Sequence, residues 1–279
     1  MAGIFDMELE ERDGTFADGR LFYRHWPAPD PLAIAVVLHG FAEHSGRYHH
    51  VAAALVGVGV DVWAPDLRGH GRSKGERANI ESVLAAVEDA DLFIDLVLSG
   101  RTGDRSLPLY LVGHSMGGLV ATAYAEEHQP RLAGLALSGP LLHAPPELLA
   151  LADAPEIPDL GLADAVSSDP AVVADYKADP LNHLGPPPRG FLRAAGDLEE
   201  VRGRLGVLTL PLLVMQGSAD LLVSPQALRD LVGAVASEDL TARLWPGLWH
   251  EIFNEPRRHE VLRMLCDWIL ERSPSSSSS

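Results

Sequence analysis

The chain has 279 residues, of which 47% are hydrophobic and 22% are charged, as in an ordinary globular protein with a sizeable core. Its formal net charge of −17 would repel phosphate backbones at long range, so nucleic-acid binding is not expected. A single cysteine, Cys266, excludes an intramolecular disulfide. One core domain with an inserted subdomain fits this length, because α/β enzymes built on one large sheet often reach it as a single unit.

The two ends of the sequence carry little structural information. The beginning, MAGIFDMELEERDG, lacks the basic segment and apolar run of a secretory signal. Nowhere does a stretch of about 18 uncharged apolar residues occur that could span a membrane. These features predict a cytoplasmic protein. The Ser-rich residues 274–279 are expected to form a flexible tail outside the fold.

Short apolar strand patterns alternate along the chain with longer helical patterns. The first is a predicted hairpin over residues 15–26 with its turn at Asp18–Gly19. The other predicted strands are 33–40, 61–66, 109–115, 132–139, 212–220 and 242–247. Apolar residues at helical spacing occupy 51–59, 80–98, 117–128 and 259–270. This alternation predicts an α/β fold with a mostly parallel central sheet flanked by helices.

The alternation breaks in the middle of the chain. Between residues 141 and 205, nine prolines and several short leucine-rich pieces replace the strand patterns. We interpret this interval as an inserted helical lid. The predicted organisation is then a core formed by residues 1–140 and 206–273, with a lid subdomain at 141–205.

A candidate nucleophile lies in the pentapeptide Gly113-His114-Ser115-Met116-Gly117. It directly follows a predicted strand and directly precedes a predicted helix, which is the context of a nucleophile elbow. Glycines are needed there because the turn from strand to helix leaves no room for side chains. An ordinary glycine-rich turn is the alternative interpretation.

A serine hydroxyl needs a base within hydrogen-bond reach and an acid that orients the base. In this kind of fold the order along the chain is Ser, Asp or Glu, His. Asp220 ends a predicted strand and His250 follows the next one, so the two complete a predicted triad with Ser115. Asp220 could instead cap the helix predicted after it. His259 is the nearest competing histidine, but it begins the last predicted helix.

The intermediate of acyl transfer also needs donors for its negatively charged oxygen. The segment Leu38-His39-Gly40-Phe41 leaves a strand at the same predicted sheet edge, so the backbone N–H of Phe41 is the expected first donor. The N–H of Met116, next to the serine, is the expected second. The alternative for His39-Gly40 is a simple strand exit.

Beyond the elbow, several longer motifs are similar to those of the monoacylglycerol lipase family. They are HGFAEHSGRY at 39–48, DLRGHGRSKG at 66–75, GHSMGG at 113–118, GSAD at 217–220 and WHEIFNEP at 249–256. The resemblance implies an α/β-hydrolase fold with a lid after the sixth strand, no cofactor or metal, and hydrolysis of monoacylglycerols. It also implies the roles proposed above for Ser115, Asp220, His250, Phe41 and Met116.

The resemblance further implies that Glu43, His44 and Arg47 help to shape the polar end of the substrate pocket. From the residues alone, Glu43 and Arg47 are a solvated i,i+4 pair at a helix start. Asp66, Arg68 and His70 resemble a set that stabilises a loop. Phe41 is bulkier than the small residue expected after His-Gly, which predicts a crowded acyl site.

The predicted substrate is a small lipid ester, bound in a slot formed by leucines of the lid, and the lid predicts transient contact with a lipid surface. A general carboxylesterase or a lysophospholipase would use the same catalytic residues. The serine at position 115 argues against dehalogenases and epoxide hydrolases, whose nucleophile is an aspartate. A binding protein without catalysis is the alternative from a different class.

Overall fold

The computed structural model describes residues 9–99 and 106–274. Eight strands form one sheet: β1 (Arg12–Phe16), β2 (Leu21–Trp26), β3 (Ala33–Leu38), β4 (Val60–Pro65), β5 (Leu109–His114), β6 (Gly134–Ser138), β7 (Leu212–Gly217) and β8 (Leu240–Trp245). Their order across the sheet is β1-β2-β4-β3-β5-β6-β7-β8. The pairs β1–β2 and β2–β4 are antiparallel, and every other pair is parallel. The prediction of a mostly parallel sheet is confirmed.

The central strands are continuous apolar runs because helices cover both faces of the sheet. On β3, Ile34 and Val36 point into one core, whereas Ala35 and Val37 point into the other, as the two-residue period of a strand requires. All six residues of β3 are buried.

Nine α-helices lie in the described parts of the chain: α1 (His49–Val56), α2 (Val83–Ser99), α3 (Met116–His128), α4 (Pro146–Ala150), α5 (Pro170–Ala178), α6 (Arg189–Gly196), α7 (Leu198–Arg204), α8 (Gln226–Ala234) and α9 (Arg258–Glu271). The cores show that α1 and α9 cover one face of the sheet, and α2, α3 and α8 the other. The predicted apolar stripe of α9 is buried on the first face, at Val261, Leu262, Leu265, Trp268 and Ile269. No helix among the described residues is long and apolar enough to cross a bilayer.

The predicted elements match the observed ones to within a few residues, and the differences matter for the site. The strands predicted at 33–40 and 212–220 end at Leu38 and Gly217, so the residues after them form loops at the carboxyl edge of the sheet. Gly217 must be a glycine, since an added Cβ would lie 2.2 Å from the carbonyl oxygen of Leu248. The loops that carry the candidate residues are therefore packed backbone against backbone.

Between β6 and β7 the chain leaves the sheet and forms four short helices, α4 to α7. Of these, α7 packs on α3 of the core, while α4 and α6 pack on each other. This agrees with an insertion after the sixth strand, although the boundaries at 141 and 205 remain a prediction. The prediction for the tail concerns residues that lie outside the described ones, apart from Pro274.

Candidate active site

Ser115 occupies a strained turn between β5 and α3. Its backbone angles, φ of 52° and ψ of −117°, are values that residues other than glycine rarely adopt. The turn is held by its N–H, which donates to the carbonyl of Ser138 on the neighbouring strand at 3.0 Å. Gly117 allows α3 to approach β3, because a Cβ there would lie 2.3 Å from the carbonyl oxygen of Leu38. The interpretation as an ordinary glycine-rich turn does not account for a strained serine at this edge.

Asp220 and His250 are brought together by the loops after β7 and β8. The distance between Asp220 Oδ2 and His250 Nδ1 is 2.8 Å, and both side chains are almost completely buried. The other carboxylate oxygen of Asp220 accepts the N–H groups of Leu222 and Val223, both at 2.9 Å. Asp220 thus holds its own loop and pairs with the histidine, but it does not cap α8, whose N-cap residue is Pro225.

Ser115 and His250 line the same cavity, with 8% and 4% of their surface exposed. Within the described residues, no hydrogen bond joins the serine Oγ to Nε2 of the imidazole. In ligand-free enzymes such bonds are often long and shorten when the substrate binds. Because the Nδ1–H of His250 donates to Asp220, Nε2 is the nitrogen that can accept a proton.

The charges around the triad favour a protonatable histidine. Burial would lower the pKa of His250, but the charge and hydrogen bond of Asp220, with smaller contributions from Glu251 and Glu43, together raise it above its ordinary value. Burial would likewise raise the pKa of Asp220, but the charge and hydrogen bond of His250 lower it. An ionised aspartate beside a basic imidazole is the arrangement that general base catalysis requires.

The two predicted oxyanion donors are available. Neither the N–H of Phe41 nor that of Met116 donates to a protein acceptor among the described residues. Met116 begins α3, so its N–H also carries the positive end of the helix dipole. Two free N–H groups beside a candidate nucleophile can stabilise a developing negative charge.

The loop that carries Phe41 is held by two sets of hydrogen bonds. Within the loop, the N–H of Gly40 donates to Glu43 Oε1 at 2.6 Å. From the predicted lid, the hydroxyl of Tyr176 and the N–H of His183 donate to the carbonyl of Ala42, at 3.1 Å and 2.9 Å. The predicted lid segment therefore contacts the same loop that carries the predicted oxyanion donor, Phe41.

Glu43 and Arg47 form a buried ion pair, so the interpretation as a solvated pair is wrong. Arg47 Nη1 donates to Glu43 Oε2 at 2.6 Å, and the Arg47 guanidinium also binds both oxygens of Glu251 at 2.7 Å. Burial would raise the pKa of Glu43, but Arg47, with smaller contributions from His114 and His39, lowers it to about 2. Tyr48 donates to the same carboxylate at 2.8 Å.

The three residues assigned to the polar end of the pocket differ in position. Glu43 lines the cavity that contains Ser115. Arg47 lies behind it, and His44 points away, with its Nε2 at 2.8 Å from Asp179. Any effect of Arg47 on a substrate would therefore pass through Glu43 and Glu251.

The rest of the cavity is apolar. Its volume is about 750 Å³ when the open mouth is included. Phe41 stacks on Phe191 of α6, with ring centroids 3.8 Å apart, and so forms part of the wall. The remaining apolar lining comes mainly from Leu141, Leu148, Leu160, Leu162, Val166, Leu222 and Val223. The Phe41 ring, which predicted a crowded acyl site, is thus packed against Phe191 in the wall of the cavity.

The other histidines near the site have structural partners. His114 Nδ1 lies 3.0 Å from the carbonyl oxygen of Ser138, and burial lowers the pKa of His114 to about 4. His39 accepts the N–H of Leu67 at 2.9 Å. The competing His259 is exposed at the start of α9. His250 is thus the imidazole that faces both Asp220 and the cavity.

The set Asp66, Arg68 and His70 stabilises loops, as predicted. Asp66 is fully buried, and its Oδ1 accepts the N–H of Ser45 at 2.8 Å. Arg68 forms two hydrogen bonds to Asp89 on α2, and His70 Nδ1 lies 2.8 Å from the carbonyl oxygen of Arg68. None of the three lines the cavity.

Three residues of the site were not found from the sequence. Glu251 directly follows His250 in the quoted motif WHEIFNEP, so its position was a usable signal. Tyr176 and Gln216 carried no such signal, although Gln216 Nε2 lies 3.3 Å from Asp220 Oδ2. The described residues contain no group of three or more His, Cys, Asp or Glu side chains that could hold a metal ion.

The sheet order, the strained serine and the Asp–His pair define a serine hydrolase of the α/β-hydrolase fold. The sequence model of the family described as "Serine aminopeptidase, S33" matches residues 29–257. A monoacylglycerol lipase of Mycolicibacterium smegmatis is 43% identical over 90% of this chain and 93% of its own length. A phospholipase of Bacillus subtilis is 33% identical over 85% of this chain and 95% of its own.

Among solved structures, the monoacylglycerol lipase of Paleococcus ferrophilus is similar. Its TM-score is 0.78 at 28% identity, and the match covers 96% of this chain and 100% of that one. The chain therefore belongs to this family of serine hydrolases and groups with its monoacylglycerol lipases.

Proposed function

We propose that this enzyme hydrolyses monoacylglycerols to a fatty acid and glycerol through an acyl-enzyme on Ser115. The observation that carries the proposal is a cavity lined by Ser115 and His250, by many apolar side chains, and by the carboxylates of Glu43 and Glu251. An acyl chain fits the apolar part, where each buried methylene contributes up to about 0.8 kcal/mol. The polar part then faces the alcohol.

The residues support a two-step mechanism. His250, oriented by Asp220, takes the proton of Ser115 as the hydroxyl attacks the ester carbonyl. The N–H groups of Phe41 and Met116 stabilise the negatively charged oxygen of the tetrahedral intermediate. His250 then protonates the departing glycerol, and a water activated by His250 cleaves the acyl-enzyme.

A lysophospholipase or a general carboxylesterase is the second candidate. It is favoured by the identity of 33% to the Bacillus subtilis phospholipase. All of these activities would use the same triad and oxyanion donors, so the alcohol end of the cavity has to separate them.

The setting of the activity is also part of the proposal. We place the enzyme in the cytoplasm, with the lid making transient contact with a lipid surface when the substrate enters. Leu184 in the lid interval and Leu221 beside Asp220 are exposed large apolar residues that could make such a contact. The acidic net charge gives this contact no electrostatic support.

The Ser115→Ala variant tests the proposal. The substitution removes only the hydroxyl oxygen, so the fold should be kept while the nucleophile is lost. Monoacylglycerol hydrolysis should then fall by about 10⁵-fold or more. Labelling by a fluorophosphonate probe should disappear at the same time. Ser224→Ala, an exposed serine outside the cavity, is the matched control. Hydrolysis that survives in Ser115→Ala would contradict the assignment.

A further inference from the structure

The polar end of the cavity carries an excess of negative charge. Two carboxylates, Glu43 and Glu251, share the one guanidinium of Arg47, which leaves a net charge of −1 on the three groups. All three side chains are nearly buried, with exposures of 3%, 5% and 11%. Water therefore screens this charge poorly.

Among the described residues that line the cavity, which include Glu43 and Glu251, no lysine or arginine side chain balances this charge. Arg47 cannot turn towards a ligand, because Nη1 donates to both carboxylates, Nη2 donates to Glu251, and the guanidinium lies 4.6 Å from the centre of the Tyr176 ring.

Glu251 is held in this position by one contact with the predicted lid and one within its own loop. Its N–H donates to the carbonyl of Val166 in the predicted lid at 2.8 Å, and its carboxylate accepts the side-chain amide of Asn254 at 2.8 Å. Glu251 lines the same cavity as Ser115 and His250, so its charge faces the space that a substrate would occupy.

We propose that Glu251 is a specificity-determining residue that, with Glu43, excludes esters whose alcohol part carries a phosphate. A buried negative charge repels a phosphate placed against it, whereas an uncharged glycerol meets hydrogen-bond acceptors there. The inference rests on the proposed function and sharpens it, because it separates a monoacylglycerol lipase from an enzyme that acts on acidic lysophospholipids.

The first experiment compares three substrates with the same acyl chain in the wild-type enzyme. They are a monoacylglycerol, the corresponding acylglycerol 3-phosphate, and the dimethyl ester of that phosphate, which keeps the bulk but not the charge. We expect kcat/KM to be about 100-fold lower for the phosphate than for the monoacylglycerol. The dimethyl ester should recover most of this loss, because charge and not size is excluded.

The second experiment assigns the effect to the residue. Glu251→Gln keeps the shape and leaves Glu43 and Arg47 as a neutral pair, so the preference for monoacylglycerol over acylglycerol phosphate should shrink about tenfold. Glu255→Gln is the matched control, since Glu255 is buried four residues further on, binds Ser167 and Ser168, and does not line the cavity. Its preference should stay as in the wild type.

The outcomes separate this inference from the proposed function. Equal hydrolysis of the phosphate and the monoacylglycerol, or equal shifts in Glu251→Gln and Glu255→Gln, would overturn the charge filter and leave the lipase intact. If neither ester were hydrolysed by the wild type, the proposed function would fail and the filter with it. If Glu251→Gln did not fold, the three substrates would still decide the matter in the wild type.

Discussion

At the scale of single residues, the pairing of Asp220 with His250 sets the pH dependence that we expect from the proposed mechanism. His250 must be neutral to accept a proton, and its pKa is raised mainly by Asp220 against the opposing effect of burial. We therefore expect activity to be lost as the pH falls through a pKa that lies above the ordinary value for histidine. The loss is on the acidic side because a protonated imidazole cannot accept the proton of Ser115.

Asp220→Asn should shift this profile. Without the carboxylate, burial lowers the pKa of His250, so the acidic limb of kcat/KM should move to lower pH while the plateau falls by about 10⁴-fold. Asp239→Asn, an aspartate paired with Arg272 on the surface, is the control and should change neither. An acidic limb that stays in place in Asp220→Asn would show that another group controls it.

The pair Glu43 and Arg47 shows what a local pattern can miss. An i,i+4 spacing predicts contact between the two side chains, and the contact is present. Burial of the pair depends on Glu251, which lies 204 residues further along the chain. Because of that distant partner, the pair is part of a buried cluster of charges and not a solvated contact.

At the scale of elements, α5, α6 and the chain between them, all in the predicted lid, contact the loop of residues 39–43. Phe191 stacks on Phe41, and the carbonyl of Ala42 is bonded to Tyr176 and His183. These contacts reach the backbone of the loop that carries Phe41, so the predicted lid does more than cover the cavity. We infer that the position of the Phe41 N–H depends on the lid.

Phe191→Ala tests this dependence. Loss of the ring removes the support of Phe41, and since one oxyanion donor is worth about 10²–10³ in kcat, loosening it should lower kcat about tenfold. KM should change less. Arg193→Ala, an exposed residue of the same helix, is the control. A change confined to KM would mean that Phe191 serves only to bind the acyl chain.

At the scale of the whole molecule, one buried acid on α3 should make stability depend on pH. Glu126 is 8% exposed, and its Oε1 has no partner among the described residues. Burial raises the pKa of Glu126 to about 7, against the weaker opposing effect of Arg204. The folded state thus prefers the protonated acid. This contribution to stability is complete below the unfolded pKa and is lost as the pH rises through about 7.

Glu126→Gln should therefore stabilise the protein at about pH 8.5 and have little effect at about pH 4, as measured by the free energy of unfolding in denaturant. Glu127→Gln is the control, because Glu127 is half-exposed and paired with Arg204 at 3.0 Å. Equal stabilisation at both pH values would indicate a packing effect and not a titration.

Much of this molecule is determined by the sequence alone. Apolar periodicity placed the parallel strands and the flanking helices, since a sheet covered on both faces must be built from continuous apolar runs. Ser115, Asp220 and His250 each follow a predicted strand. Because parallel strands end together at one edge of the sheet, their positions predicted that the three residues lie at that edge. Both inferences need only local chemistry and the period of the chain.

Other properties were decided by the tertiary structure. The burial of Arg47 between two carboxylates, the stack of Phe41 on Phe191, and the pairing of Glu126 with Arg204 at 3.6 Å each depend on segments far apart in the chain. The free energy of a charge or a ring depends on the atoms that replace water around it. Those atoms belong to distant residues, so packing alone determines whether a surface pair becomes a buried charge.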